Sequence, residues 1–167
     1  MKKRKELDSI GSIYVPGDKY WGASTERSKK YFNIVINNYP ETDYAQDSRY
    51  KMEYITEIMA SKEMYLARYY VEKEKWIPAI KRFQKVISDY DTTIFVEEAL
   101  HRLVELNYKI GLENEAEKYA LLLGYNYNSS EWFKQSYKLL NKDYKIANTK
   151  PSNEKDTFFK KIIKMIK

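Results

Sequence analysis

The sequence contains no cysteine, a single histidine, five glycines and four prolines among its 167 residues. The lack of cysteine excludes disulfides, thiolate metal sites and a cysteine nucleophile. Because His101 is the only histidine, metal sites and catalytic pairs that need two histidines are also excluded. The scattered glycines form no glycine-rich phosphate loop. Packed helices with short connections are the expected structure for such a composition, which also includes 17 tyrosines.

Long apolar runs are absent as well. No stretch approaches the roughly 18 apolar residues of a membrane-spanning helix. The basic start, residues 1–5, is followed by a polar segment and not by the apolar core of a secretory signal. Glycines and a proline interrupt residues 1–22. We therefore expect an irregular lead-in over residues 1–22.

The net charge of +6 is concentrated at the two ends of the chain. Residues 2–5 contribute +4 and residues 150–167 another +4, which leaves −2 for residues 6–149. Nucleic-acid binding is not expected, because it requires a basic stripe on the folded part. The basic ends leave open contacts with anionic lipid or with an acidic partner.

Hydrophobic periodicity predicts helices throughout the middle of the chain. A first helix is expected from about residue 23, with Ser24 as its cap, and it should end before Pro40. No glycine or proline lies between Pro40 and Pro78. We therefore expect one helix of about 28–30 residues there, capped by Thr42 or Asp43.

The segment from Met64 to Thr93 contains two apolar helix faces joined by a polar turn, Glu72 to Lys75. In the second helix, small Ala79 precedes large Phe83 by four residues. A neighbouring helix can approach closely at the alanine, and the ring can fill the space beside it. Small and large apolar residues at fixed offsets are typical of tetratricopeptide (TPR) helix pairs.

Further helices are expected up to Gly111, from Glu113 to about Leu123, and after Ser130 as a cap. Three repeat positions recur with offsets of 51 and 37 residues, namely Ser28/Ala79/Ala116, Phe32/Phe83/Ala120 and Tyr39/Tyr90/Tyr127. The TPR period is about 34 residues, and extra turns in the long helix explain the first offset. The predicted fold is all-α, a TPR-like solenoid of antiparallel helix pairs over residues 23–145, with an unrelated helical bundle as the alternative.

The end of the chain is predicted to form a separate element. Residues 146–155 are polar and are interpreted as a linker, and residues 156–167 as a basic amphipathic helix. The residues assigned to membrane or partner contact are Phe158, Phe159, Lys160, Ile162, Ile163 and Ile166. Such a helix can lie in a membrane interface or dock in a groove, or it can fold back on the array.

Several sequence blocks resemble the BamD/ComL family of outer-membrane assembly lipoproteins. They are YPETDYAQDSR (39–49), E-x-Y-x-A-R-Y-Y (63–70), W-x-x-A-I-x-R-F (76–83), VEEALHRL (96–103) and L-G-Y-N-Y-x-x-S-E-W (123–132). The resemblance covers about residues 24–140. Because the blocks occur in order, the match is more specific than a single TPR.

The resemblance implies a five-repeat TPR lipoprotein on the periplasmic face of the outer membrane. It would work with the barrel subunit BamA, and with other subunits of the assembly machinery, to fold and insert β-barrel proteins. Unfolded segments of outer-membrane proteins are further expected partners, and no cofactor is expected. The matching part corresponds to the C-terminal half of the family, which docks on the last POTRA domain of BamA.

This chain departs from the family pattern at its start. The signal peptide, the acylated N-terminal cysteine and the first two repeats of the family are absent from the sequence. The chain is therefore expected to be a fragment, a truncated start or a degenerate copy. Membrane association is expected only through the missing lipid anchor, or weakly through the tail.

The resemblance also assigns candidate partner-binding residues. Arg82 would pair with a carboxylate of BamA, and the alternative is a surface arginine that assists Glu72 or Glu74. The other candidates are Arg68, Tyr69, Glu98, His101 and Arg102. For Tyr69 packing within the helices is the alternative, and for His101 a structural role in a half-buried position.

No catalytic constellation is found. Neighbouring acids such as Glu97 and Glu98 do not face one another on a helix, and acids are favoured in a first turn. The predicted function is a non-enzymatic scaffold for outer-membrane protein assembly, without a catalytic or metal site. The alternative is a generic TPR adaptor with a different partner.

Overall fold

The computed structural model describes residues 2–141. Its elements, in chain order, are β1 (Lys3–Asp8), β2 (Gly11–Pro16), α1 (Ala23–Asn38), α2 (Asp43–Glu72), α3 (Trp76–Asp89), α4 (Val96–Lys109), α5 (Glu113–Asn126) and α6 (Glu131–Leu140). The predicted linker 146–155 and tail helix 156–167, with all six of its assigned residues, lie outside the described residues. The chain divides into two compact units between Ser61 and Lys62, within α2.

The first unit begins with a β-hairpin, which corrects the expectation of an irregular lead-in over residues 1–22. Strands β1 and β2 pair antiparallel from Lys3↔Pro16 to Asp8↔Gly11. Asp8 Oδ1 accepts hydrogen bonds from the backbone N–H groups of Ile10 and Gly11, at 3.0 and 3.1 Å. Gly11 has φ +132°, a conformation that side chains rarely adopt, so a glycine is required after the turn. The glycine that suggested a break therefore closes the hairpin.

Two arginines tie the hairpin to the chain that follows it. Arg4 donates to the backbone carbonyl groups of Pro16 (3.1 Å), Lys19 and Trp21 (2.5 Å). On α1, Arg27 forms a two-pronged ion pair with Asp8, with both N···O distances at 3.0 Å. The hydrogen bond from Arg27 lowers the pKa of Asp8 below its ordinary value. These contacts fix the hairpin against α1.

Helix α2 confirms the prediction of one long helix, with 30 residues from Asp43 to Glu72. Thr42 caps it, because its hydroxyl accepts from the N–H of Ala45 at 3.2 Å. The expectation that Ser24 caps α1 was wrong, since Gly22 occupies that position and no side chain caps the helix.

The end of α2 shows how the chain turns into α3. The N–H of Lys75 donates to the carbonyl of Tyr70 at 2.9 Å, and that of Glu74 to Val71 at 3.0 Å. This is the Schellman arrangement, in which the residue after the cap is left-handed. Here Glu74 takes that conformation, with φ +56°. The same arrangement follows α4, where Gly111 has φ +83° as the sequence predicted.

The second unit is a TPR-like array, and it confirms the predicted all-α class apart from the hairpin. Ala79 and Phe83 are both fully buried, as their spacing predicted, and they share a core with Met64, Ala67 and Leu103. Smaller clusters continue this core between α4, α5 and α6. The array is therefore held together by apolar faces of successive helices.

Three tyrosines end alternate helices in the same way. Tyr39, Tyr90 and Tyr127 are the C-terminal caps of α1, α3 and α5, with ψ values of 53°, 41° and 47°. Each donates its backbone N–H to the carbonyl four residues earlier. The predicted repeat punctuation is therefore structural. Ser130, also as predicted, caps α6 by accepting from the N–H of Trp132 at 3.1 Å.

Candidate docking surface

Arg82 already has a carboxylate partner within the second unit. From α3 its Nη1 lies 2.8 Å from Glu63 Oε2 on α2, and Lys85 Nζ lies 3.3 Å from Glu63 Oε1. The Glu63 side chain is only 4% exposed. The alternative interpretation of Arg82 had named Glu72 or Glu74, and the pair with Glu63 was not predicted. The pair satisfies a buried charge and joins α2 to α3.

The other charged candidates form one network across α2 and α4. Arg68 binds Glu98 through two nitrogens, at 3.0 and 2.5 Å. Arg102 lies 3.7 Å from the same carboxylate and 2.7 Å from Glu105. The Arg68 side chain is 47% exposed, whereas that of Glu98 is 14% exposed. The network therefore presents Arg68 to solvent, and the less exposed Glu98 holds it in place.

His101 lies beneath this network and is 3% exposed. Its Nδ1 is 2.8 Å from Ser136 Oγ on α6, and its Nε2 is 3.5 Å from Glu105. The ring of Trp132 stacks at a tilt, 5.1 Å away between centroids. These contacts favour the structural interpretation of His101, and its burial exceeds the half-buried position that was expected. A residue this buried cannot be offered to a partner without movement of α6.

Glu105 connects His101 to the exposed network. The hydrogen bond with His101, assisted by Arg102, lowers the pKa of Glu105 to about 2 although partial burial opposes the change. Glu105 is therefore ionised at neutral pH. A charged Glu105 fixes Arg102, whose guanidinium also lies 5.8 Å from the ring of Trp132.

Aromatic side chains stand beside the exposed arginine of α2. Tyr65 and Tyr69 are 69% and 46% exposed. Residues three and four apart share a helix face, so Tyr65 neighbours both Arg68 and Tyr69 on the surface of α2. Tyr70 instead packs against the core, with its ring edge toward Tyr69 at 5.8 Å. Sequence reasoning missed Tyr65, although its spacing from Arg68 was the available signal.

We define the docking patch as Tyr65, Arg68, Tyr69, Glu98 and Arg102. It brings together four of the six predicted partner-binding residues and leaves Arg82 and His101 in separate internal contacts. Tyrosine and arginine are among the residue types enriched at energetically important positions of protein interfaces. Residues 2–141 contain no group of three or more potential metal ligands. Within the same residues no helix is long and apolar enough to cross a membrane.

A TPR-like helical array with an aromatic and arginine-rich patch is the architecture of a protein–protein interaction module. The model of the YfiO family, described as an outer membrane lipoprotein, matches residues 12–122. The chain belongs to this family, the BamD/ComL family that its sequence blocks resemble.

The curated relatives agree with the family. The chain is 44% identical over 113 residues to outer membrane protein assembly factor BamD of Rickettsia prowazekii, covering 68% of this chain and 45% of the relative. It is 40% identical over 119 residues to BamD of Caulobacter vibrioides, covering 71% and 39%. The chain thus spans less than half the length of these relatives.

A different, local similarity covers 24% of the chain. Over 40 residues it is 62% identical to class II fumarate hydratase of Staphylococcus haemolyticus, and this covers 9% of that enzyme. Because the match covers so little of either protein, it shows that the two share a segment and does not show that they share a fold.

Proposed function

We propose that this chain is a non-enzymatic scaffold for outer-membrane protein assembly that docks on the POTRA region of BamA through the docking patch. It would act at the periplasmic face of the outer membrane, together with other subunits of the assembly machinery and with unfolded segments of outer-membrane proteins. Membership of the family supports the general role. The observation that carries the proposal is the patch itself, where Arg68 is exposed on the same helix as the exposed Tyr65 and Tyr69 and is joined through Glu98 to the half-buried Arg102.

The geometry supports a binding role for Arg68 more directly than for Arg82. Arg68 is held from below by Glu98, so little side-chain entropy is lost when a partner carboxylate or carbonyl binds its outer edge. The Arg82 side chain is 22% exposed and forms an ion pair with Glu63. A BamA carboxylate at Arg82 would share the guanidinium with Glu63, and we retain this contact as the secondary part of the proposal.

The test is calorimetric titration of the full chain with the isolated POTRA region of BamA from the same organism. We expect saturable binding that weakens at least about tenfold in the Arg68→Ala, Tyr69→Ala double variant, the loss typical of interface anchors. The matched control is Lys118→Ala on α5, which removes an exposed ion pair with Glu115 outside the patch.

Three results would decide between the alternatives. Loss of binding in the patch variant, with unchanged binding of the control, supports the proposal. Tighter binding of Glu63→Gln would support the secondary contact at Arg82, because the substitution removes the charge of Glu63 and weakens its hold on the arginine. No binding of a folded wild-type chain would overturn BamA docking and favour an adaptor with a different partner.

A further inference from the structure

The hairpin of the first unit has two chemically different faces. Side chains alternate along each strand, so Arg4, Glu6 and Asp8 lie on the inner face toward α1. The outer face is exposed, and it consists of Lys3, Lys5, Leu7, Ser12 and Tyr14. Nothing in the proposed scaffold role uses this face.

Both acids of the strands are neutralised on the inner face. Glu6 pairs with Arg4 at 2.7 Å, and Asp8 pairs with Arg27 at 3.0 Å. Among the described strand residues 3–8 and 11–16, the outer face therefore carries lysines without a carboxylate. The fold thus places the acids of the strands on the inner face and leaves an outer face that carries cationic and apolar side chains and no acid.

The outer face is also ordered from tip to base. Ile10 lies in the turn and is 73% exposed, and Leu7 beside the turn is 78% exposed. Tyr14 is 63% exposed and stands directly opposite Lys5 in the strand register. Lys3 lies four residues from Leu7, about 13 Å along the strand at the usual rise. Apolar side chains thus occupy the tip, Tyr14 and Lys5 lie at the next level, and Lys3 lies nearest the base.

We propose that the hairpin tip inserts into the interface of an anionic phospholipid bilayer. Ile10 and Leu7 would enter the boundary between headgroups and acyl chains, and Tyr14 would lie at headgroup level, where tyrosines are enriched. Lys3 and Lys5 would remain among the anionic headgroups, because long lysine side chains keep their charge in the polar layer. Charge complementarity, together with the apolar tip, selects a lipid surface as the occupant. This inference goes beyond the proposed scaffold function and does not depend on it.

The absence of cysteine makes a site-specific test straightforward. An Ile10→Cys variant of the full chain is labelled with the environment-sensitive dye NBD and mixed with vesicles of phosphatidylcholine and phosphatidylglycerol. We expect a blue-shifted, brighter emission that brominated lipids quench. The same dye at Leu122→Cys, a 41% exposed position on α5, should not respond. Vesicles of phosphatidylcholine alone should give no shift at either position.

Unlabelled variants test the chemistry. Leu7→Ser should weaken vesicle partitioning about tenfold, as expected when one buried leucine side chain is lost. The Lys3→Glu, Lys5→Glu double variant should abolish the preference for anionic lipid. If the chain bound vesicles but the dye at position 10 did not change its emission, another part of the chain would be the lipid-binding element. This result would overturn the proposal. An emission shift that appears without vesicles when the protein concentration is raised would identify a second copy of the chain as the occupant. This result would also overturn the proposal.

Discussion

Arg82 of α3 donates to the buried carboxylate of Glu63 on α2, at 2.8 Å, and Lys85 reaches the other oxygen of that carboxylate at 3.3 Å. The charge of Glu63 is therefore shared between two cations that enter from one neighbouring helix. A contact of this kind fixes the register of α2 against α3, because a displaced α3 would leave the carboxylate buried without a partner.

Removal of Arg82 should destabilise the fold, because the buried charge of Glu63 then loses one of its partners. We expect Arg82→Met to lower the free energy of unfolding by about 1–3 kcal/mol, less than for a fully buried pair because Arg82 is partly exposed and Lys85 remains. Urea denaturation measures the change. The control is Arg68→Met, whose more exposed pair should contribute less than about 1 kcal/mol. Equal losses in the two variants would show that burial of Glu63 has no special effect.

The same pair shows where sequence reasoning stops. The periodicity of α3 and the pairing of Ala79 with Phe83 could be predicted, because helix geometry fixes which residues share a face. The partner of Arg82 lies 19 residues earlier on another helix, and its identity depends on the register between α2 and α3. Nearby Glu72 and Glu74 were equally plausible in sequence. Contacts between helices therefore needed the structure, whereas the apolar face of α3 and the caps at Thr42 and Ser130 did not.

The hairpin illustrates a second limit. Glycines and a proline in residues 1–22 indicated breaks, but Ile13 and Val15 alternate as strand residues do. The pairing is stabilised by Arg4 and Arg27, whose partners are backbone carbonyls and a carboxylate up to 19 residues away. Hydrogen bonds between residues so far apart in the chain leave no recognisable local pattern in the sequence. In the docking patch, by contrast, the sequence blocks already contained all five residues, and four of them were predicted to bind a partner.

Glu105 should make stability depend on pH. Its folded pKa, about 2, lies below the ordinary value of 4.5, so the carboxylate form stabilises the folded state. This contribution is present above about pH 4.5 and is lost as the pH falls toward 2. Because the side chain is 38% exposed and screened by water, we expect about 1 kcal/mol in total.

A comparison with Glu105→Gln isolates this contribution. Urea denaturation at pH 6 and at pH 3 should show the wild type losing more stability than the variant. Glu115→Gln, at the exposed pair with Lys118, should change the pH dependence by only a few tenths of a kcal/mol. A pH dependence that is the same in wild type and Glu105→Gln would contradict the role of His101 and Arg102 at this carboxylate.

The left-handed residue between α2 and α3 offers a stabilising substitution. Glu74 has φ +56°, where a side chain is strained and glycine is not. We expect Glu74→Gly to raise the free energy of unfolding by about 0.5–1 kcal/mol, after allowance for the greater entropy of the unfolded chain. Thermal denaturation followed by circular dichroism measures the change. Glu72→Gly, at the last residue of α2, should not raise stability, because the backbone there is helical and glycine is a poor helix former.

A close approach between α5 and α6 gives the opposite case. Gly124 is buried, and a Cβ placed on it would lie 2.7 Å from Cε2 of Phe133. Gly124→Ala should therefore lower stability by about 1–3 kcal/mol, although alanine is the better helix former. The measurement is urea denaturation of the single variant and of Gly124→Ala combined with Phe133→Leu, which removes the clashing ring edge.

The expected signature is non-additive. The alanine should cost less in the Phe133→Leu background than in the wild type, because the two positions are in contact. Asn114→Ala, at an exposed site of the same helix, should show the propensity gain alone, a few tenths of a kcal/mol. If Gly124→Ala also stabilised the chain, α5 and α6 would have room for a side chain between them, and the end of the array would be less tightly packed than the contact with Phe133 indicates.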